Sequence, residues 1–196
     1  MEQTKERIIK SAIKLFADKG FHETKVEEIA TESGVAKGTV YLYFRSKEEI
    51  MMSCFEFIFS RALKNYEIPD ELNFYDSIKM IVENNFKFVD ENMDFYRMLL
   101  KGLYSTNRDI KKEKVICEKE LFEIAVGSME KIILKGINEG KIKKDVSLKH
   151  LAVTFLNTII SSLIMIVNSR IRGFKLDENE YKEEIINLLT GGIYEK

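Results

Sequence analysis

The stretch from Phe16 to Ile50, FADKGFHETKVEEIATESGVAKGTVYLYFRSKEEI, carries the pattern that decides the fold. Just upstream, Ile8, Ile9, Ala12, Leu15 and Phe16 recur at helical spacing, and Gly20 ends the run as a helix stop. Thr24-Lys25-Val26-Glu27 has the form of a capping box, in which the hydroxyl accepts a backbone N–H and the carboxylate reaches back. A second helix is therefore predicted from there, with Val26, Ile29 and Ala30 turned inward. Ser33-Gly34 breaks it, and Lys37 to Phe44 reads as another short helix, with Val40 and Phe44 in the core and Leu42 ambiguous. Ser46-Lys47-Glu48-Glu49 is a second capping box and opens a longer helix towards Tyr66, ahead of a turn at Pro69.

Two short helices joined by a glycine-containing turn and braced by a preceding helix are the physical recipe for a helix-turn-helix, whose second helix fits the major groove of DNA. Small, aromatic and cationic positions of the quoted stretch agree, in order, with the DNA-binding segment of the TetR family, which it closely resembles. Each matched position has a chemical reason. Thr24 stands at a helix N-terminus, where N–H groups and the helix dipole favour a phosphate. Lys37, Gly38 and Thr39 occupy the first turn of the recognition helix: the lysine can reach guanine acceptors, the glycine lets the backbone come close, and the Thr39 methyl can touch a thymine methyl. Tyr41 and Tyr43 resemble family positions whose phenols reach the DNA backbone, and Lys47 matches a family lysine that binds phosphate as a point charge. Arg45 is a weaker candidate.

Beyond Pro69, five further helices are predicted, roughly 74–91, 94–104, 108–139, 147–172 and 177–190, giving an all-α chain of about nine helices. The resemblance there extends only to the helical plan. It implies a helix-turn-helix domain at 1–47 and a ligand-binding and dimerisation domain at 48–196. Large apolar side chains in the middle helices are candidates to line a ligand cavity: Phe86, Phe95, Met98, Leu99, Phe122 and Met129. Gly102 and Gly127, inside predicted helices, ask for close packing or for space beside them. The segment from Leu151 to Val167 is apolar on nearly every face and needs partners on both sides. Leu151, Phe155, Ile159 and Ser162, with Ile185 and Leu188 of the last helix, are the candidates for a four-helix interface between two copies of the chain, the family's arrangement.

Composition constrains the function classes. With 31 Lys and Arg against 32 Asp and Glu, bulk charge gives no argument for a polyanionic partner, and the first fifty residues are balanced as well. DNA binding must come from placement. Cys54 and Cys117 lie far apart in apolar stretches and suit reduced thiols in a cytoplasmic protein. No secretory signal pattern is evident, and the Leu151 to Val167 segment, interrupted by Thr154, Asn157, Thr158, Ser161 and Ser162, falls short of a membrane span. His22 and His150 have no metal-ligand spacing, no nucleophile elbow or phosphate-cradling loop is present, and neither catalysis, metal nor cofactor is expected.

The partners implied are an operator in double-stranded DNA, a second copy of the chain and a small hydrophobic ligand, with no membrane. The resemblance implies repression by an unliganded dimer, released when a ligand in the body shifts the fourth helix and changes the spacing of the two recognition helices. The segments GTVYLYFRSKEEI, INEGKIKKDV and LLTGGI resemble fatty-acid-metabolism repressors of the family, which respond to long-chain acyl-CoA; a multidrug or other hydrophobic inducer is the alternative. A helical ligand-binding or adaptor protein of the same fold, without specific DNA readout, is the competing function.

Overall fold

Helix runs through most of the chain because its single proline, Pro69, falls in a connection and leaves the intrahelical hydrogen bonds uninterrupted elsewhere. The computed structural model describes residues 2–103 and 108–191, with side chains described outside 102–121. Among the described residues there are nine α-helices, a single 3-10 turn at Leu63–Tyr66 and no strand. The helices are α1 (Glu2–Lys19), α2 (Val26–Glu32), α3 (Lys37–Tyr43), α4 (Lys47–Ala62), α5 (Phe74–Glu91), α6 (Met93–Leu103), α7 (Arg108–Asn138), α8 (Leu148–Arg172) and α9 (Glu178–Gly191). Tyr104 and Asn107, and the side-chain surroundings of Gly102 and Cys117, lie outside the described residues.

The chain forms two compact units, Met1–Ser60 with Asn92–Lys119, and Arg61–Glu91 with Glu120–Lys196. In the first, α1 turns Ile8, Ala12, Phe16 and Ala17 onto α2 and onto α6. Arg97 and Lys101 of α6 fasten the end of α1: the guanidinium meets the Asp18 carboxylate at 3.1 Å, and the ammonium donates to the Asp18 carbonyl at 2.8 Å. Cations at a helix C-terminus complement its dipole and its unpaired carbonyls. Phe95 packs edge-to-face on Phe55 and Phe59, with ring centroids 5.7 and 5.8 Å apart. Cys54 is buried beside them in the core and burial pushes its thiol well above the ordinary range, so it is inert as a nucleophile.

In the second unit α5 packs on α8 and α9. The connection around Pro69 is tied to the end of α7. Lys135 donates to the Pro69 and Leu72 carbonyls at 3.1 and 3.0 Å, and the Glu139 carboxylate accepts the Phe74 N–H at 2.9 Å, capping α5. At the other end of α5, Arg170 of α8 reaches Asp90 at 2.7 Å and Glu178 of α9 at 2.5 Å, so one guanidinium joins three helices. The α8 helix has the limits expected of it, but the apolar stretch judged short of a span at 151–167 sits in a helix, Leu148–Arg172, that is long and apolar enough to cross a membrane by length and composition alone, with 44% of its most apolar window buried in the chain. Thr154, Thr158 and Ser162 do not break it, because their hydroxyls donate to carbonyls four residues earlier at 2.7–2.9 Å.

Two glycines inside α7 have opposite surroundings. A Cβ on Gly136 would stand 2.8 Å from Ile142 Cδ1 and 2.9 Å from the Phe74 ring, whereas one on Gly127 would meet nothing within 4 Å. Close packing therefore explains Gly136 and not Gly127. Gly136→Ala is expected to lower stability by about 1–3 kcal/mol through overpacking, and Gly127→Ala to raise it by about 0.5–1 kcal/mol through helix propensity and the unfolded chain. Urea unfolding of both variants at one protein concentration checks this; destabilisation of equal size would contradict the packing described.

Candidate DNA-binding surface

The helices α2 and α3 have seven residues each and cannot hold themselves in water. Their geometry is imposed from outside. After α2, Ser33 turns its hydroxyl onto the Ile29 carbonyl at 2.7 Å, Gly34 takes φ +65°, and the Val35 N–H returns to the Ala30 carbonyl at 3.0 Å. Arg7 of α1 caps the same end by donating to the Ser33 carbonyl at 2.8 Å. Val40 and Phe44 are buried, as their spacing requires, and pin α3 by its inner face. At the start of α4 the second capping box forms: Ser46 Oγ accepts the Glu49 N–H at 3.2 Å and the Glu49 carboxylate accepts the Arg45 N–H at 2.5 Å.

The first capping box is shifted by one residue from its sequence reading. Lys25 is the N-cap of α2, and Glu28 in place of Glu27 reaches back to its N–H at 2.9 Å. Hydrogen bonds from Lys19 and from the Lys25 N–H hold the Glu28 carboxyl below its ordinary range. Thr24 is fully buried, and its hydroxyl donates to the Gly20 carbonyl at 2.8 Å with the Leu15 carbonyl at 3.3 Å. In this arrangement the hydroxyl faces inward and braces the turn between α1 and α2. Lys47 grips the same turn from α4: its Nζ donates to the Thr24 carbonyl at 2.8 Å and the His22 carbonyl at 3.2 Å, and lies 4.6 Å from the centre of the Phe21 ring. An ammonium has three protons, and these two carbonyls engage two of them.

On the outer side of α3, Lys37 and Gly38 are exposed, Thr39 and Tyr43 half-buried, and Tyr41 exposed. A Cβ on Gly38 would meet nothing within 4 Å. The packing of the chain itself therefore does not require a glycine there. Lys37 forms an ion pair with Glu27 of α2 and stands 5.8 Å from the Tyr41 ring centre. Each partner's hydrogen bond shifts the other, holding the Glu27 carboxyl low and the Lys37 ammonium high. Sequence reasoning missed this pairing because it links two helices. It also left Leu42 undecided, although helical phase opposite Val40 and Phe44 points it outward, and the structure leaves it 84% exposed.

The other candidate residues separate into several environments. Phe95 and Met98 are buried in the first unit, where Leu99 is half-buried. In the second unit Met129 is fully buried, and Phe86 and Phe122 are half-buried. Phe86 lines a surface pocket of about 320 Å³ whose rim is charged, with Glu83, Lys87, Asp90, Arg170, Glu178 and Lys182. Of the residues considered for a subunit interface, Phe155 and Ile159 are fully buried within the chain, and Ile185 is nearly so. Leu151 is half-buried. Ser162, Ile185 and Leu188 line an open groove of about 600 Å³ between α8 and α9, with Thr154, Asn157, Thr158, Ser161, Tyr181 and Glu184. Leu188 in this lining is exposed, as are Ile160, Ile164 and Met165 elsewhere along α8. Among the described residues no group of three or more His, Cys, Asp or Glu could hold a metal ion.

A helix-turn-helix with an outward lysine, glycine and tyrosine on its second helix defines a DNA-binding protein. Residues 8–54 match the family model of bacterial regulatory proteins, tetR family. Residues 8–54 are thus a DNA-binding segment of the tetR type, and the chain as a whole is similar to TetR-family transcriptional regulators. It is 25% identical over 195 residues to the fatty acid metabolism regulator protein of Bacillus subtilis, covering 97% of this chain and 95% of that one. The fold is similar to the crystal structure of FadR from Bacillus subtilis in complex with stearoyl-CoA, with TM-score 0.77 at 22% identity, covering 96% of this chain and 99% of that one. It is also similar to FadR from Bacillus halodurans, with TM-score 0.79 at 20% identity over 98% and 97% of the two chains.

Lys47→Ala removes two hydrogen bonds from the turn between α1 and α2. The amides of residues 21–26 are expected to exchange faster with solvent, and DNA affinity to fall similarly on all sequences, with the log–log salt slope reduced by about 0.9 for a lost phosphate contact. Hydrogen exchange and salt-dependent binding titrations check the two roles separately. An unchanged slope would remove Lys47 from the phosphate contacts and leave it as a brace.

Proposed function

We propose that this protein is a dimeric repressor that binds a palindromic operator through residues 1–47 and is released by a long-chain acyl-CoA bound within residues 48–196. The observation that carries the DNA half is the outward face of α3, where Lys37, Gly38 and Tyr41 stand exposed on a helix fixed from behind by Val40 and Phe44. Lys37 and Thr39 choose bases, Tyr41, Tyr43 and Lys47 hold the backbone, and Gly38 admits the close approach. The similarity to a fatty acid metabolism regulator along nearly the whole of both chains, and to a fold solved with stearoyl-CoA, supports the ligand class. The protein would act in the cytoplasm, where its operator and acyl-CoA are.

The dimer follows from α8. A helix this apolar, with 44% of its most apolar window fully buried in the chain, has room for a second surface, and the groove against α9 presents a mixed apolar and hydroxyl face suited to a second copy. Two recognition helices roughly 34–36 Å apart, or a multiple of that, match half-sites one helical turn apart. Ligand binding that favours another spacing by about 1–3 kcal/mol releases the operator, and by linkage DNA weakens ligand binding by the same factor.

Titration of acyl-CoAs of increasing chain length into a preformed protein–DNA complex tests the ligand. Release is expected to strengthen with tail length, at about 0.8 kcal/mol per methylene withdrawn from water; release independent of the tail, or none, contradicts an acyl ligand. Arginine substitutions test the dimer. Leu188→Arg, at an exposed position, is expected to give a folded monomer, whereas Ile159→Arg puts an unpaired charge in the core and is expected to unfold the chain. Analytical ultracentrifugation with circular dichroism separates the two; a wild-type monomer at micromolar concentration would overturn the spacing mechanism.

A further inference from the structure

We infer that Leu42 reads the 5-methyl group of a thymine in the major groove, which makes it a specificity-determining residue of the operator. The inference rests on the DNA-binding reading above and adds a base contact to it. Tyr41 and Leu42 are the large apolar side chains left exposed among the described residues of the first unit, and Leu42, at 84%, is far more open than Tyr41 at 48%. Single exposed leucines are ordinary on protein surfaces; the position of this one is what gives it a use.

Leu42 lies four residues beyond Gly38 and three beyond Thr39 on α3, so the three share one side of the helix. Val40 and Phe44, at 0% and 2% exposure, occupy the opposite side and fix the rotation of the helix. Leu42 cannot turn inward without expelling them. Nothing within 4 Å would obstruct a Cβ at Gly38, so the backbone can approach a partner there without a side chain intervening. Leu42 then lies one turn further along the same face, beside the groove wall that Gly38 and Thr39 approach. An aliphatic side chain has no donor or acceptor to offer a base edge, and the apolar group that the major groove presents is the thymine methyl. Lys37 is engaged with Glu27 and the Tyr41 ring, and Lys47 with the carbonyls of His22 and Thr24. Leu42 needs no such rearrangement before it meets DNA.

The experiment starts from the full-length protein and an operator selected from random duplex. Each thymine of that operator is then replaced singly by deoxyuridine, which removes the methyl group and leaves every hydrogen-bonding atom in place. Wild-type protein is expected to lose roughly three- to five-fold in affinity at one symmetry-related thymine position, the size of one methyl no longer withdrawn from water. Leu42→Ala, which touches no core residue, is expected to melt with the wild type and to bind thymine and deoxyuridine operators equally at that position. A flat deoxyuridine scan in the wild type, or a penalty that persists in Leu42→Ala, overturns the assignment. A protein that selects no duplex overturns the DNA reading itself and the assignment with it, and the selection step tells that failure apart.

Discussion

A recognition helix of seven residues is too short to persist alone, and everything that makes this chain a reader of DNA depends on how that helix is held. The holding is done by burial of Val40 and Phe44 behind it and by a turn, residues 20–25, fastened from both sides. Thr24 ties the turn to α1 through the Gly20 and Leu15 carbonyls, and Lys47 ties it to α4 through the Thr24 and His22 carbonyls. Arg97 and Lys101 of α6 in turn hold the end of α1 at Asp18. A movement of α4 or α6 therefore reaches the turn through named hydrogen bonds.

The electrostatics of the head follow the same economy. Lys14, Lys19 and Lys37 are each paired with a glutamate of α2, namely Glu32, Glu28 and Glu27. These pairs are exposed and each adds little to stability, but they order the cations while DNA is absent and leave the head without a strong bulk field. Sequence selectivity in such a head has to come from groups placed at base edges more than from non-specific attraction, which is dominated by phosphate charge. The exposed Lys37–Glu27 pair is easily given up, which is what the proposed guanine contact of Lys37 requires.

The fold was legible wherever one helix carries its own signal. The apolar period of α1, the Ser33-Gly34 break, the Ser46 capping box and the stops before Pro69 and at Gly173 each follow from local chemistry, and the helices fall within a few residues of their expected limits. Reading failed where a residue's role depends on a neighbour distant in sequence. Thr24 and Glu27 looked like partners in one box, but the hydroxyl went inward to α1 and the glutamate across to Lys37. Phe155 and Ile159 read as candidates for contact with a second copy, whereas the chain itself buries them and the open groove of α8 lies along Thr154, Asn157, Thr158 and Ser161 against α9. Apolar periodicity records that a side chain is buried; it does not record which surface buries it.

The central claim is that α3 and its symmetry mate read two half-sites of one operator. Selection of the purified full-length protein on a random duplex library, followed by sequencing of the retained pool, tests it most directly. The result expected is an enriched palindrome whose half-sites are spaced by roughly one helical turn or a multiple of it. Retention of duplex without any enriched motif, or enrichment of a single unrepeated half-site, would contradict it.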